Sequence, residues 1–256
     1  MLKIVAIIQA RMGSTRYPGK VLAEIGGRPM LWYTVTRLRQ ARTLKHIAVA
    51  TTDQPSDDPI GEFCDLHGIP LFRGSEDDVL ERYYGAAKAF KADAVVRITG
   101  DCPLLDPSVV DDVVRRFLDG DVDYVSNICP PTYPDGLDTE VFSLEALQRA
   151  HAEAEWASER EHVTSYIRKH PETFRIQNVT HAKDLSSLRW TVDDDRDMAF
   201  VRAVFERLED VTSGLDVILS LLERHPEIAA INAGTARNEG YLRSIKEDHC
   251  LGQTGK

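Results

Sequence analysis

The sequence predicts an α/β protein organised around a mostly parallel sheet. Two observations carry the prediction. Short apolar runs alternate with amphipathic stretches of helical period through the first half of the chain, and each run ends in a polar turn rich in Gly, Pro, Ser, Thr or Asp. Strand–helix alternation of this kind gives right-handed crossovers, and ligands then bind beyond the carboxyl ends of the strands.

The first strand is expected at residues 3–9, where Ile4-Val5-Ala6-Ile7-Ile8 is apolar at every position and so reads as buried on both faces. Further strands are expected at 46–51, 70–72, 94–99 and 122–127. Helices are expected between them at 29–42, 59–67, 79–90 and 107–118. Pro29, Pro59 and Pro107 suit a first helical turn, where no N–H is needed, and Gly68 suits the left-handed position that ends a helix. After Asn127 the pattern changes. A turn-rich segment at 129–136 precedes an expected strand at 139–142, helices at 144–154 and 159–169, strands at 174–179 and 188–192, and helices at 198–208 and 215–224. The organisation expected is one domain over 1–233: a nucleotide-binding half (1–127), an acceptor and dimerisation insert (128–187) and a return to the core sheet (188–233). The tail, 234–256, has weak periodicity and is expected to fray.

At 256 residues, with 43% apolar and 28% charged residues and a net charge of −10, the composition is that of a globular protein with ample core. An acidic surface disfavours nucleic acid as a partner. No apolar run approaches the roughly 18 residues of a membrane span. Met1-Leu2-Lys3 enters the first strand without a signal-peptide pattern, and Cys64, Cys102, Cys129 and Cys250 lack metal-type spacing. Reduced thiols and a cytoplasmic location are the expectation.

Against the acidic background, the loop after the first strand reverses sign. Ala10-Arg11-Met12-Gly13-Ser14-Thr15-Arg16-Tyr17-Pro18-Gly19-Lys20 carries three cations, two glycines, two aliphatic hydroxyls and no acid. Backbone N–H groups, small residues and fixed cations at a strand end suit a polyphosphate. The loop is not a Walker A motif, because five residues separate Gly13 from Gly19 and Val21 follows Lys20 where Ser or Thr would ligate magnesium. Any metal must then be held by carboxylates elsewhere. Asp101, on the Gly100-Asp101-Cys102-Pro103 turn past the 94–99 run, is one candidate. Asp193 is the second: it stands first in the acidic run 193–197, where Asp194 or Asp195 caps the following helix.

The segments IIQARMGSTRYPGKVL, ATTDQPSDDPI, FRGSEDDVLERYY, RITGDCPLLDP, YPDGLDTEVF, EREHVTSYIRKHP and LRWTVDDDRDM together resemble the cytidylyltransferase family, nearest its spore coat polysaccharide biosynthesis protein F branch, and related to the acylneuraminate and 3-deoxy-manno-octulosonate cytidylyltransferases. The resemblance implies a Rossmann-like sheet of the nucleotide-diphospho-sugar transferase (glycosyltransferase-A) type with a lid or dimerisation extension, and a homodimeric, Mg2+-dependent enzyme that uses CTP. It implies that Arg11, Ser14 and Lys20, helped by Arg16 and with Ala10 and Gly13 alongside, grip the CTP phosphates. It further implies that Arg73 and Ser75 read the cytosine, and that Asp101 and Asp193 hold the metal. Thr99 stands where the 3-deoxy-manno-octulosonate enzymes have glutamine, which implies a different contact to the ribose.

Tyr133, Asp135, Asp138 and Glu140 are polar, close together and placed to hydrogen-bond an acceptor such as an acidic sugar; an exposed turn is the other reading. His162 is a candidate acceptor contact or base, since imidazole titrates near neutrality. Cys102 is expected to be a small buried side chain. The function expected is transfer of CMP from CTP to a small acidic acceptor with release of pyrophosphate. The rivals are a glycosyltransferase on the same sheet, a cytidylyltransferase acting on a phosphonate, and a silent nucleotide-binding partner.

Overall fold

The computed structural model describes residues 2–235, 237 and 239–251. The chain runs β1 (Ile4–Gln9), β2 (Glu24–Ile25), β3 (Arg28–Pro29), α1 (Met30–Leu38), β4 (His46–Thr52), α2 (Asp58–Leu66), β5 (Leu71–Gly74), α3 (Val79–Ala89), β6 (Ala94–Thr99), α4 (Pro107–Asp119) and β7 (Tyr124–Ser126). It continues with β8 (Glu140–Ser143), α5 (Leu144–Glu153), α6 (Ala157–Glu161), α7 (Ser165–Lys169), β9 (Ile176–Asn178), α8 (Asp195–Phe205), α9 (Leu215–Arg224), α10 (Pro226–Ala229) and α11 (Glu239–Lys246).

Seven strands form one sheet in the order β5-β4-β1-β6-β8-β7-β9. The first four are parallel neighbours, β8 runs antiparallel between β6 and β7, and β9 is parallel to β7. This is the mostly parallel α/β sheet that the strand–helix alternation predicted. Burial explains the apolar run of β1: Ile4, Ala6 and Ile8 face a core shared with α1, α2, α4, α8 and α9, while Val5 and Ile7 face a second core with α3, α5 and α7. The helices start where polar caps permit. Asp78, Asp106, Ser143 and Asp194 each accept a first-turn N–H, and Asp194 takes those of Arg196 and Asp197.

Four expectations are corrected. Residues 188–192 form no strand; Arg189 makes a single bridge to Asp135, and the apolar side chains of Trp190 and Val192 are buried without sheet pairing. The helix expected at 159–169 is two short helices, separated at Val163 by a left-handed residue (φ 51°). Pro29 precedes α1 as its cap and pairs with Glu24 in the β2–β3 hairpin, which sequence pattern did not signal. Within the tail, 239–246 form α11; Ala236, Asn238 and 252–256 lie outside the described residues. No helix among the described residues is long and apolar enough to cross a membrane.

Candidate active site

The basic loop leaves the sheet between β4 and β6. Ala10 N–H donates to the Ala50 carbonyl (3.1 Å), and Gly100 N–H donates to that of Gln9 (2.8 Å). A Cβ on Gly100 would meet the Gln9 carbonyl oxygen at 3.0 Å, so a glycine there lets the acid turn close on the basic loop. The loop folds back on itself because the Met12 carbonyl accepts from both Ser14 N–H and Gly19 N–H (2.9 Å each), with Gly19 at φ 73°. Buried Asp57 fixes its neck, accepting from Met12 N–H (2.8 Å), Thr51 Oγ1, Thr52 N–H and Thr52 Oγ1. Burial would raise this carboxyl's pKa, but the hydrogen bonds outweigh it and hold the group below the usual carboxylate range. Among the described residues the N–H groups of Gly13 and Thr15 find no acceptor, which leaves donors for a phosphate.

The two acids meet at Lys20. Its ammonium donates to Asp101 Oδ2 (2.7 Å), to the Val192 carbonyl (2.7 Å) and to Asp193 Oδ1 (2.9 Å). Burial opposes the charge on Lys20, yet the Asp101 and Asp193 carboxylates prevail and raise its pKa. Asp193 is also gripped by Arg189 Nη2 (2.7 Å) and Arg16 Nη2 (3.0 Å). Burial pushes the Asp193 carboxyl up, and Lys20, Arg189 and Arg16 outweigh it, holding the group at about 2. Behind it Arg189 pairs with fully buried Asp197 (2.9 Å) and with Asp135 (3.0 Å), while Val192 N–H donates to the Asp101 carbonyl (2.9 Å). The segment that forms no strand is thus a strut linking the acids to the 129–136 turn.

Around this centre lies a cleft with two lobes. The first, about 290 Å³, is lined by Ala10, Arg11, Ser14, Arg16, Lys20, Arg82, Arg97, Thr99, Asp101, His162 and Asp193 among others. The second, about 360 Å³, shares Arg16, Arg97, Thr99, Asp101, His162 and Asp193 and extends to Asp135, Asp138, Glu140, Arg168 and Tyr241. Lys20 is engaged with the carboxylates rather than extended toward a phosphate. Ser14 Oγ accepts from Tyr17 N–H (3.3 Å) at the loop's tip.

Arg73 and Ser75 line neither lobe. Arg73 is drawn to Thr52 O, Gln54 O and Asp58 at the outer edge of β5, and Ser75 Oγ accepts from Asp78 N–H at the entry to α3. Buried Arg82 and half-buried Arg97 line the cleft instead. Arg82 donates to the Ser75 carbonyl (2.8 Å), and Arg97 pairs with Glu140 and reaches Gln9 Oε1 (3.2 Å). The sequence signal was weak, because one sits inside an apolar strand run and the other inside a helix.

Of the acceptor candidates, Tyr133 is buried against His181, outside the cleft. Asp135 is tied to Arg189, and Asp138 pairs with Arg237. Burial pushes the Asp138 carboxyl up to about 7 despite that partner. Glu140 is 1% exposed, and Tyr124, Thr164 and Arg97 engage both its oxygens, so it supports the floor of the second lobe. His162 borders both lobes; its Nε2 has no hydrogen-bond partner, and burial lowers the imidazole to about 4, making it neutral at pH 7 and a weaker base than expected. Cys102 is buried, with its thiol raised well above the usual range first by burial, as suits a packing residue.

No cluster of three or more His, Cys, Asp or Glu able to hold a metal occurs among the described residues. Asp101 and Asp193 remain, close enough to share one ammonium. Such a pair fits Mg2+, which takes one or two carboxylates and completes its shell with water and phosphate oxygens.

The model of the cytidylyltransferase family matches residues 5–223. An uncharacterized protein of Methanocaldococcus jannaschii is 37% identical over 96% of this chain and 100% of its own length. The spore coat polysaccharide biosynthesis protein SpsF of Bacillus subtilis is 33% identical over 90% and 98%. The solved structure of a cytidylyltransferase from Leptospira borgpetersenii superposes with a TM-score of 0.88 at 30% identity, covering 93% of this chain and 100% of that one.

Proposed function

The chain belongs to the cytidylyltransferase family, and on that premise we propose that it transfers CMP from CTP to an acidic sugar or a related polysaccharide precursor, releasing pyrophosphate, with Mg2+ as cofactor. The observation that carries this reading is the Asp101–Lys20–Asp193 bridge at the mouth of the basic loop. The likeness to SpsF supports a polysaccharide precursor as acceptor.

In this reading the first lobe takes the nucleotide. Arg11 and Arg16, with the N–H groups of Gly13 and Thr15, bind the triphosphate and offset charge that develops on the departing pyrophosphate. Lys20 keeps Asp101 and Asp193 together against their mutual repulsion, so both carboxylates stand ready where the triphosphate enters. Magnesium, when bound to them, supplies charge neutralisation across the phosphate oxygens. Arg97 and Thr99 orient the nucleotide toward the second lobe, from which the acceptor oxygen attacks the α-phosphorus in line. Neutral His162 contacts the acceptor and helps exclude water.

The test is pyrophosphate release by purified enzyme with CTP, MgCl2 and a panel of carboxylated sugars. Release with CTP and an acidic sugar, abolished by EDTA, is the expected result. Absence of release from any of the four nucleoside triphosphates with every acceptor overturns the reading.

A further inference from the structure

The second lobe of the cleft is closed by a segment beyond the family-matched residues, which end at 223. The chain from α11 onward is bound along α6. Ser244 Oγ donates to Glu161 (2.6 Å), Asp248 accepts from Ser158 N–H (2.9 Å) and Oγ (2.6 Å), Ala157 N–H donates to the His249 carbonyl (3.0 Å), and Leu251 N–H donates to that of Glu155 (2.9 Å). This anchorage carries Tyr241 into the cleft wall. Its ring meets His162 edge-on at 4.9 Å, lies 5.4 Å from the Arg168 guanidinium carbon, and brings its hydroxyl 3.4 Å from Ser165 Oγ.

Arg168 differs from the other arginines of this lobe. Arg16, Arg97 and Arg189 all pair with carboxylates. Arg168 makes no ion pair among the described residues; its guanidinium has a long contact to Cys129 Sγ (3.7 Å) and the face of Tyr241, and its Nε has no partner. The Glu140 carboxylate is near enough to favour its charge, but Arg97 holds that carboxylate directly. A guanidinium in a half-closed cavity whose direct contacts are a sulfur and an aromatic face is a strong site for an incoming carboxylate, which it meets with two parallel N–H donors.

We propose that Tyr241 and Arg168 select the acceptor: Arg168 pairs with its anionic group, while Tyr241, delivered by the C-terminal segment, covers the C–H face of its ring. The inference rests on the second lobe being the acceptor site, as in the proposed function, and assigns to Tyr241, outside the family-matched region, a part in substrate choice.

The test compares wild type with Arg168→Gln, Arg168→Lys, Tyr241→Phe and Tyr241→Ala, in assays of CMP transfer to 3-deoxy-manno-octulosonate, N-acetylneuraminate and neutral hexoses, with circular dichroism to verify folding. Arg168→Gln and Tyr241→Ala should raise the acceptor KM about tenfold or more, with the CTP KM within about twofold of wild type. Arg168→Lys and Tyr241→Phe should retain part of the affinity. Unchanged acceptor KM in an active wild-type background overturns the inference and leaves the proposed function standing, as does transfer to neutral hexoses alone for the choice of an anion. If wild type transfers CMP to none of the panel, the proposed acceptor class fails, and NMR titration of His162 then reads the closure directly. Removing the Tyr241 ring should move that imidazole from about 4 toward its free value near 6.5, and an unmoved titration overturns the closure.

Discussion

Lys20 joins groups from three separate parts of the chain: the loop after β1, the turn after β6 and the strut before α8. Replacing it with methionine leaves two carboxylates facing each other without the ammonium. Thermal melts should show a loss of about 1–3 kcal/mol. The pH dependence follows in sign. Asp193, depressed to about 2, contributes stability that is complete above its unfolded value near 4 and lost as pH falls through 2. Lys20, raised, contributes stability complete below about 10.4 and lost only as pH climbs past its folded value, so the bridge is intact at neutrality. His162 gives a second limb. Burial lowers it to about 4, with Glu161 and Glu140 opposing and Arg97 and Arg168 reinforcing. The neutral ring therefore contributes stability above its unfolded pKa, lost as pH drops from about 6.5 to 4, worth up to ~3 kcal/mol. His162→Gln should flatten that acid limb in melting temperature against pH; an unchanged slope contradicts the assignment. At this scale Arg11, Lys20, Asp101 and Asp193 were legible because a basic loop and a Gly-Asp turn stand out against an acidic chain. Arg82, Arg97 and Asp57 were not, since a charge shielded within a helix, a strand or a turn carries no local signature of the partner that keeps it there.

Among the elements, the strut at 188–192 explains both a success and a failure of pattern reading. Trp190 and Val192 are buried, as alternation implied, but burial does not specify the hydrogen-bonding partner. Trp190 and Thr191 donate their N–H groups to the Asp135 carbonyl and Val192 donates to that of Asp101, so the segment clasps two turns and joins no strand. Gly136 makes the clasp possible. It sits at φ 113°, and a Cβ there would lie 2.6 Å from Thr191 N and 2.7 Å from Trp190 C. Gly136→Ala should therefore cost about 2–3 kcal/mol, lowering the melting temperature by roughly 5–10 °C, and should reduce turnover by displacing Asp193. A variant that melts like wild type would show that the turn is not constrained. Helix starts were legible through Pro107 and the acidic run at 193–197, where Asp194 proves to hold the first-turn N–H groups; the cap Asp106 adds came from the structure. The left-handed break at Val163 was not, because a β-branched residue gives no warning of such a backbone.

For the whole molecule, an acidic protein of net charge −10 gathers Arg11, Arg16 and Lys20 past the carboxyl end of β1, beside Arg97 of β6, in the lobe proposed for the polyphosphate. The alternating pattern was enough to read the parallel half of the sheet. The antiparallel insertion of β8 between β6 and β7, and the return of the C-terminal segment over α6, depend on long-range pairing that no local pattern encodes. Asp101→Asn separates catalysis from architecture. Turnover should fall roughly 10²–10³-fold, with the melting temperature nearly unchanged; equal turnover would remove Asp101 from the chemistry.

The most direct measurement is a crystal structure with CTP and Mn2+ in place of Mg2+, located by anomalous scattering. The account predicts the metal peak between Asp101 and Asp193, with the triphosphate against Arg11 and the Gly13 and Thr15 N–H groups and Lys20 drawn off at least one carboxylate. A triphosphate or metal bound away from this bridge would contradict it.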